Sequence, residues 1–396
     1  MRNVVIVDYA RSAFGKQGGV FRDLSGSQLG GFVIREMVRK NGIDPEEIEG
    51  VVMGSAYADL YTTSLARYTL QIAGLPEKTT GTTVEMQCGS GITSINHAAW
   101  EIAMGVQDVI IAGGCDSCST APAKFATSVQ PYKMIPPQYI PTQMSPYPEK
   151  NISMIEISDR LAEKYGISRE ACDEFACRSQ ERLAAAYADA LIGPEIIPYM
   201  YPATRKTPER IIDKDEHPRP DTTMAKLAKL RPVLEGGVTT AGNASGLNDG
   251  AAFVLMMSEE KAKELGQQPI ARWVAGGHMG CEPELMGIGA SRAVQKVLRM
   301  TGMHIHDMDV IECNEAFAAQ NLACIKELEE VYGERIDQEK WNPNGGAIAI
   351  GHPNGASGAR ICIFAIRQLK KTRGRFGIFT SCCGGGQGAS CLIENL

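Results

Sequence analysis

Val84-Glu85-Met86-Gln87-Cys88-Gly89-Ser90-Gly91-Ile92 is a polar approach that ends in a cysteine and passes at once into small residues. The run that continues it, Ile92-Thr93-Ser94-Ile95-Asn96-His97-Ala98-Ala99-Trp100-Glu101-Ile102-Ala103, has helical character. A cysteine in the first turn of a helix sits beside unpaired N–H groups and the positive end of the macrodipole. Both favour the thiolate, the nucleophilic form. A cysteine among small residues also packs well as a buried hydrophobe, so the segment by itself leaves both readings open.

Outward from this elbow, strand-like and helix-like runs alternate. Val4-Val5-Ile6-Val7 reads as a buried strand, Gln28 to Asn41 as a helix stopped by Gly42, Ile48 to Met53 as a strand and Ser64 to Ala73 as a helix. Asp108 to Gly114 is a second fully buried strand. This alternation predicts a parallel or mixed sheet covered on both faces. From Cys115 to about Thr240 the character changes. Prolines and tyrosines crowd Pro131 to Pro148, helices are predicted near Ile152 to Tyr165 and Arg169 to Leu191 with Ser168 as N-cap, and Arg205 to Arg231 is polar and broken by proline. Strand composition returns at Gly250 to Met257.

The second half repeats the first. Ala293 to Ala318 lies over Val33 to Ala58, with a helix ending at Gly302 as the other ends at Gly42. Gly355-Ala356-Ser357-Gly358 lies over Cys88-Gly89-Ser90-Gly91, and Gly377 to Cys382 over Val109 to Gly114. Three matches in one order, at nearly constant offset, imply a duplicated α/β unit with an insertion in the first copy. The boundaries drawn are 1–118 for the N-terminal half, with 246–270 returning to it, 119–245 for the inserted loop domain, and 271–396 for the C-terminal half.

With 396 residues, 44% hydrophobic and 22% charged, the chain has the composition of a globular protein of two or three domains. A net charge of −6 argues against general nucleic-acid affinity. No apolar run is long enough to span a membrane, and the start, Met1 to Val7, is not a secretory signal. Twelve cysteines without such a signal suggest free thiols in a reducing compartment, so a cytoplasmic location is expected.

Four further patches carry chemistry. Asn314-Glu315-Ala316-Phe317 follows a strand, where sites gather in α/β sheets. Gly351-His352-Pro353-Asn354-Gly355 presents one histidine, a residue suited to proton transfer near neutrality, in a glycine-rich turn before a helix. Cys382-Cys383-Gly384-Gly385-Gly386 offers a second acid or base beside free backbone N–H groups. Thr239 to Gly250 is rich in small residues that let a ligand approach the backbone. The bland alternatives are loop-satisfying polar groups, a structural histidine, a packed cysteine pair and a plain turn. Cys115-Asp116-Ser117-Cys118 has CxxC spacing, but no second ligand pair follows, so no metal is expected.

Together, in this order, Cys88-Gly89-Ser90-Gly91, Asn314-Glu315-Ala316-Phe317, Gly351-His352-Pro353, Gly355-Ala356-Ser357-Gly358-Ala359-Arg360 and Cys382 before glycines resemble the thiolases, the acetyl-CoA acetyltransferases and 3-ketoacyl-CoA thiolases. The resemblance covers essentially the whole chain, including Ala228-Lys229-Leu230-Arg231-Pro232. It implies a duplicated α/β/α/β/α layered fold with an inserted loop domain, and an acyltransferase active in fatty acid metabolism. The implied reaction is the reversible Claisen condensation of acyl-CoA with acetyl-CoA, or thiolysis of a 3-ketoacyl-CoA, through an acyl group carried on Cys88.

By the same resemblance His352 activates Cys88, and Cys382 moves the proton at the α-carbon or on the CoA thiol. Asn314 holds a water that completes an oxyanion hole with His352, and the N–H groups of Cys88 and Gly384 form the other. Ser245 would meet the pantetheine arm and Arg219 the adenine, Met154 and Phe317 would line the acyl pocket, and Ala244 joins them as a substrate- or CoA-binding residue. Coenzyme A is expected as substrate and product, with no permanently bound cofactor, and the chain as a homodimer or homotetramer with the Lys124 to Lys150 loop at tetramer contacts.

Several positions depart from the family pattern: Asn354 after the proline, Cys383 after Cys382, Gln87 before the nucleophile, the segments Ser153 to Ser158 and Leu60 to Ser64. Acetoacetyl-CoA or another short-chain substrate is expected, with a branched, longer or functionalised chain as the alternative. Two other readings stay open: a decarboxylating condensing enzyme using acyl carrier protein, and a catalytically silent acyl-CoA-binding subunit.

Overall fold

The computed structural model describes residues 2–126, 132–133, 136–205 and 207–396. Pro131, Met134 and Ile135 of the predicted proline-rich loop, and Lys206, lie outside them.

In chain order the first half is β1 (Val4–Arg11), β2 (Gly15–Lys16), α1 (Gly26–Asn41), β3 (Gly50–Gly54), α2 (Leu65–Ala73), β4 (Thr80–Val84), α3 (Ser90–Met104) and β5 (Val109–Ser117). The insertion holds β6 (Phe125–Ala126), β7 (Gln138–Tyr139), α4 (Met154–Tyr165), α5 (Arg169–Ala188), β8 (Tyr199–Tyr201), β9 (Arg210–Ile212) and α6 (Met224–Leu227). Then come β10 (Asn248–Ser258), α7 (Glu259–Glu264), β11 (Ala271–Gly280), α8 (Gly289–Thr301), β12 (Val310–Cys313), α9 (Ala318–Tyr332), α10 (Ala347–Ile350), α11 (Asn354–Thr372), β13 (Phe376–Cys383) and β14 (Gln387–Asn395). The helix ends follow local chemistry. Gly42 caps α1 in the left-handed region at φ 76°, and Ser168 accepts from the Ala171 N–H at the start of α5.

The sheet is mixed, in the order β12-β13-β14-β11-β1-β10-β5-β3-β4, with β2 beside β10. Parallel pairs link β3 with β4 and β5, and β12 with β13; the other pairs are antiparallel. The two halves meet through a short β1–β11 pairing, Val4 to Ile6 against Trp273 to Ala271, which makes one continuous sheet. The strands β4, β11 and β14 are not distinguished by the sequence reading. The insertion, read as free of sheet, carries two small ribbons, β6–β7 and β8–β9.

Because side chains alternate across a strand, each buried strand feeds two cores. Along β10, Ala252, Val254 and Met256 enter a central core, whereas Ala251, Phe253, Leu255 and Met257 enter an outer one. The central core joins Ile92 and Ile95 of α3 and Ile361 and Phe364 of α11 to strands of both halves, including Ile110 and Phe379. The outer cores lie under α1 and α2 on one side, and under α4, α8 and α9 on the other. The two halves of the continuous sheet thus form separate layers around the central helices, and the order helices–half-sheet–helices–half-sheet–helices is the layered arrangement expected. Glycine makes its middle possible: a Cβ on Gly358 of α11 would stand 2.2 Å from the Ile92 nitrogen of α3, and one on Gly91 would stand 2.6 Å from the Gly355 carbonyl oxygen. The duplicated small-residue motifs are thus the surfaces through which the two central helices touch.

Candidate active site

Cys88 is placed by this contact. It lies in a 3-10 turn, Gln87–Gly89, just ahead of α3, not within the first turn of the helix as the sequence suggested. Ser90 clamps the turn: its Oγ accepts from the Met86 N–H at 2.8 Å and donates to the Gln87 carbonyl at 2.7 Å. Gln87 takes a left-handed φ of 49°, a strained conformation for a non-glycine residue. The Cys88 side chain is half-buried, and its sulfur accepts a hydrogen bond from Asn354 Nδ2 at 3.4 Å.

His352 sits in the turn between α10 and α11. Its backbone N–H donates to Asn248 Oδ1 at 2.9 Å, and Asn248 Nδ2 donates to the Gly15 carbonyl, so β10 holds the turn. Its Nδ1 is 2.6 Å from Ser357 Oγ, and that hydroxyl donates to the Pro353 carbonyl at 3.0 Å. The hydroxyl's one proton is committed, so Nδ1 carries the imidazole proton and donates. The Nε2 lone pair then faces Asn314 Nδ2 at 3.3 Å, while Asn314 Oδ1 faces Arg360 at 3.4 Å. Burial, aided by the Arg360 charge, lowers the His352 pKa to about 3, so the ring is neutral at ordinary pH. Behind it, Arg360 and Glu312 are fully buried, 3.8 Å apart. Burial outweighs their attraction, pushing Glu312 up to about 8 and Arg360 down to about 10.

Cys382 lies buried near the end of β13, opposite Gly388 of β14. The hairpin turns through Gly384, Gly385 and Gly386, the last two at φ 84° and 90°, which glycine adopts without strain. A Cβ on Gly384 would lie 3.1 Å from Gln87 Cγ, so the turn rests against the Cys88 segment. A Cβ on Gly89 would stand 2.3 Å from Cys383 Sγ. Burial raises all three thiols, Cys88 to about 12 and Cys382 and Cys383 well above the ordinary thiol value, with Asp116 the next contributor at Cys88. Asp116 itself accepts from Ser55 Oγ and the N–H groups of Ala56, Tyr57 and Gly355, tying β5 to the start of α11.

Ala244 and Phe317 form a β-bridge, and the Ser245 N–H donates to the Ala316 carbonyl at 3.0 Å. Phe317 and Met154 are half-buried against the same outer core. Arg219 stands apart: it is exposed, and its backbone N–H is held by Gln180 Oε1 on α5. The structure therefore joins Cys88, His352, Asn314, Cys382 and Gly384 into one constellation, with Ala244, Ser245 and Phe317 along one strip beside it. The sequence reading assigned no role to Asn248, Ser357, Arg360 or Asp116. All four stand inside quoted stretches, but most of their partners come from other elements.

The chain matches the family descriptions "Thiolase, N-terminal domain" over residues 4–260 and "Thiolase, C-terminal domain" over residues 267–395. It is 40% identical to the 3-oxoadipyl-CoA/3-oxo-5,6-dehydrosuberyl-CoA thiolase of Escherichia coli, with 100% of each chain covered. It is 39% identical to an acetyl-CoA acetyltransferase of Chromobacterium violaceum, with 99% of each covered. Among solved structures, the Bacillus anthracis acetyl-CoA acetyltransferase superposes with a TM-score of 0.92 at 38% identity, covering 100% of this chain and 99% of that one. Human mitochondrial 3-ketoacyl-CoA thiolase in complex with CoA gives 0.89 at 33% identity, covering 100% and 98%.

Proposed function

The chain belongs to the thiolase family and is an acyl-CoA C-acyltransferase, and from that premise we propose that it condenses or thiolyses a short-chain 3-ketoacyl-CoA, acetoacetyl-CoA foremost, through Cys88. The observation that carries the assignment of roles is the bare Nε2 of His352, a neutral base fixed in one tautomer by Ser357. In condensation, Cys88 gives its proton to Nε2 and its sulfur attacks the acyl-CoA carbonyl. The acyl C–S bond breaks, and CoA leaves as a thiol with the proton of Cys382. Cys382, now a thiolate, takes an α-proton from acetyl-CoA. The resulting carbanion attacks the Cys88 thioester, and the departing Cys88 sulfur recovers its proton from His352. All groups return to their starting states, which suits a reversible reaction.

Asn314, through a bound water, and the backbone N–H groups of Cys88 and Gly384 are assigned to the two oxyanions. Ala244 and Ser245 are assigned to the pantetheine arm, Arg219 to the adenine, and Met154 and Phe317 to the acyl pocket. Coenzyme A enters only as substrate and product. The open edge of β4 and the exposed aromatics Phe125 and Tyr139 on the β6–β7 ribbon support a homodimer or homotetramer. All twelve cysteines are unpaired, which supports a reducing, cytoplasmic setting. No helix among the described residues is long and apolar enough to cross a membrane.

Thiolysis of a panel of 3-ketoacyl-CoA esters, followed by loss of the 3-ketoacyl-CoA absorbance on adding CoA, tests this reading. The panel spans short, long, branched and carboxylate-ended chains, the last because one relative is named for 3-oxoadipyl-CoA. Absence of turnover on every member, with no acyl adduct on Cys88 by mass spectrometry, defeats it in favour of a silent acyl-CoA-binding subunit.

A further inference from the structure

The sulfur of Cys88 has an electrostatic problem. The charges that act on it are those of Asp116 on β5 and Glu85 in the approach to the turn, and both are negative. Tyr57 after β3 and Cys382 and Cys383 on β13 face it as well, and each of these brings only a neutral or anionic form. His352 is held neutral by burial. While His352 is neutral, a thiolate here is therefore stabilised by dipoles and not by a cation. Its own backbone N–H is one source. The side-chain source is Asn354 Nδ2, 3.4 Å from the sulfur.

The position of Asn354 is tightly specified. It is the first residue of α11, after Pro353. The next N–H, of Gly355, is held by Asp116 Oδ2 at 2.6 Å, and the preceding turn is held by Asn248 and Ser357. A Cβ on Gly355 would come within 2.6 Å of the Gly54 carbonyl oxygen, so this end of α11 is wedged against β3. The amide is thus presented to the sulfur by a backbone with little freedom to withdraw.

We propose that Asn354 is a further catalytic residue, whose amide N–H holds the Cys88 sulfur in its thiolate form. A hydrogen bond to an anion is stronger than one to a neutral thiol, and a thioester sulfur is a poor acceptor. The bond is therefore strongest in the two moments when sulfur carries charge: before it attacks, and as the acyl C–S bond breaks and the electron pair returns to it. An apolar residue at this position does neither. The proposal rests on Cys88 as the nucleophile, but its test does not require turnover.

The test is the pH dependence of Cys88 alkylation by iodoacetamide, read peptide by peptide by mass spectrometry so that the other cysteines do not contribute. In this reaction the thiolate forms the S–CH2 bond and iodide leaves, so the rate follows the thiolate fraction. Asn354→Leu should move the Cys88 profile up by about one pH unit, a roughly tenfold slower alkylation below the pKa. Asn354→Asp, which has the same shape and suits a helix N-terminus, should move it further by adding a third negative charge. It also keeps the question answerable if the leucine variant does not fold. An unchanged profile in either variant overturns the proposal. So does a shift to lower pH, which would mean that the amide oxygen faces the thiol. If the wild-type protein turned over no acyl-CoA, the reading of the function would fail while this shift could still be measured.

Discussion

His352 Nδ1, in the turn before α11, and Ser357 Oγ, in the first turns of that helix, stand 2.6 Å apart. Because the hydroxyl spends its proton on the Pro353 carbonyl, the pair sets which imidazole nitrogen is bare. Ser357→Ala removes the acceptor and frees the tautomer. The expected result is a fall in kcat of about tenfold with KM little changed, the loss of one buried hydrogen bond. Steady-state thiolysis kinetics check it, and an unchanged kcat would separate the serine from the chemistry.

Acid should destabilise the protein through the same histidine. His352 has a pKa of about 3 in the folded chain, whereas an unfolded histidine titrates near 6.5. Between those values the unfolded state binds a proton that the folded state refuses, so stability falls as pH drops through about 6.5 and goes on falling toward 3. His352→Asn should flatten the decline by up to about 1.4 kcal/mol per pH unit in that window. Urea midpoints measured from pH 7 to pH 4 decide this. His217, lowered to about 4, leaves part of the slope in place.

Toward higher pH Glu312 acts with the opposite sign. Its folded pKa of about 8 lies above the 4.5 of a free carboxyl, so its contribution is fully present below about 4.5 and is lost as pH rises from there through about 8. Glu312→Gln, which keeps the shape without the titration, should remove that loss. Parallel stability curves for the two proteins between pH 5 and pH 8 would count against it.

Two glycines separate backbone strain from packing. At Gly42 the φ is 76° and an added Cβ meets nothing within 4 Å. Gly42→Ala should therefore cost only about 1 kcal/mol, the left-handed penalty. At Gly358 the added carbon runs into the backbone of α3, which cannot move aside. Gly358→Ala should lose about 3 kcal/mol or more, or fail to fold. Denaturant titration of both variants distinguishes the two costs.

Much of this molecule is legible without coordinates. Strands with all side chains apolar announce a sheet covered on both faces, and the repeated glycine motifs announce two copies of one unit. The positions of Cys88, His352, Asn314 and Cys382 follow because strand ends and small-residue turns are local features. What the chain order cannot supply is who faces whom. Ser357 and Arg360 read as ordinary helix residues until α11 is packed between the sheets. The ribbon strands of the insertion and β4 were missed because short edge strands lack the apolar pattern that burial imposes.

Cys88 as the candidate nucleophile was legible only from the motifs taken together in their order, since its own segment fits a buried structural cysteine equally well. The tautomer of His352, the lowered proton affinity that burial gives it, and the amide of Asn354 at the sulfur were decided only by the fold. Each depends on groups hundreds of residues apart being excluded from water together, and hydrogen-bond geometry and desolvation exist only once that packing is made.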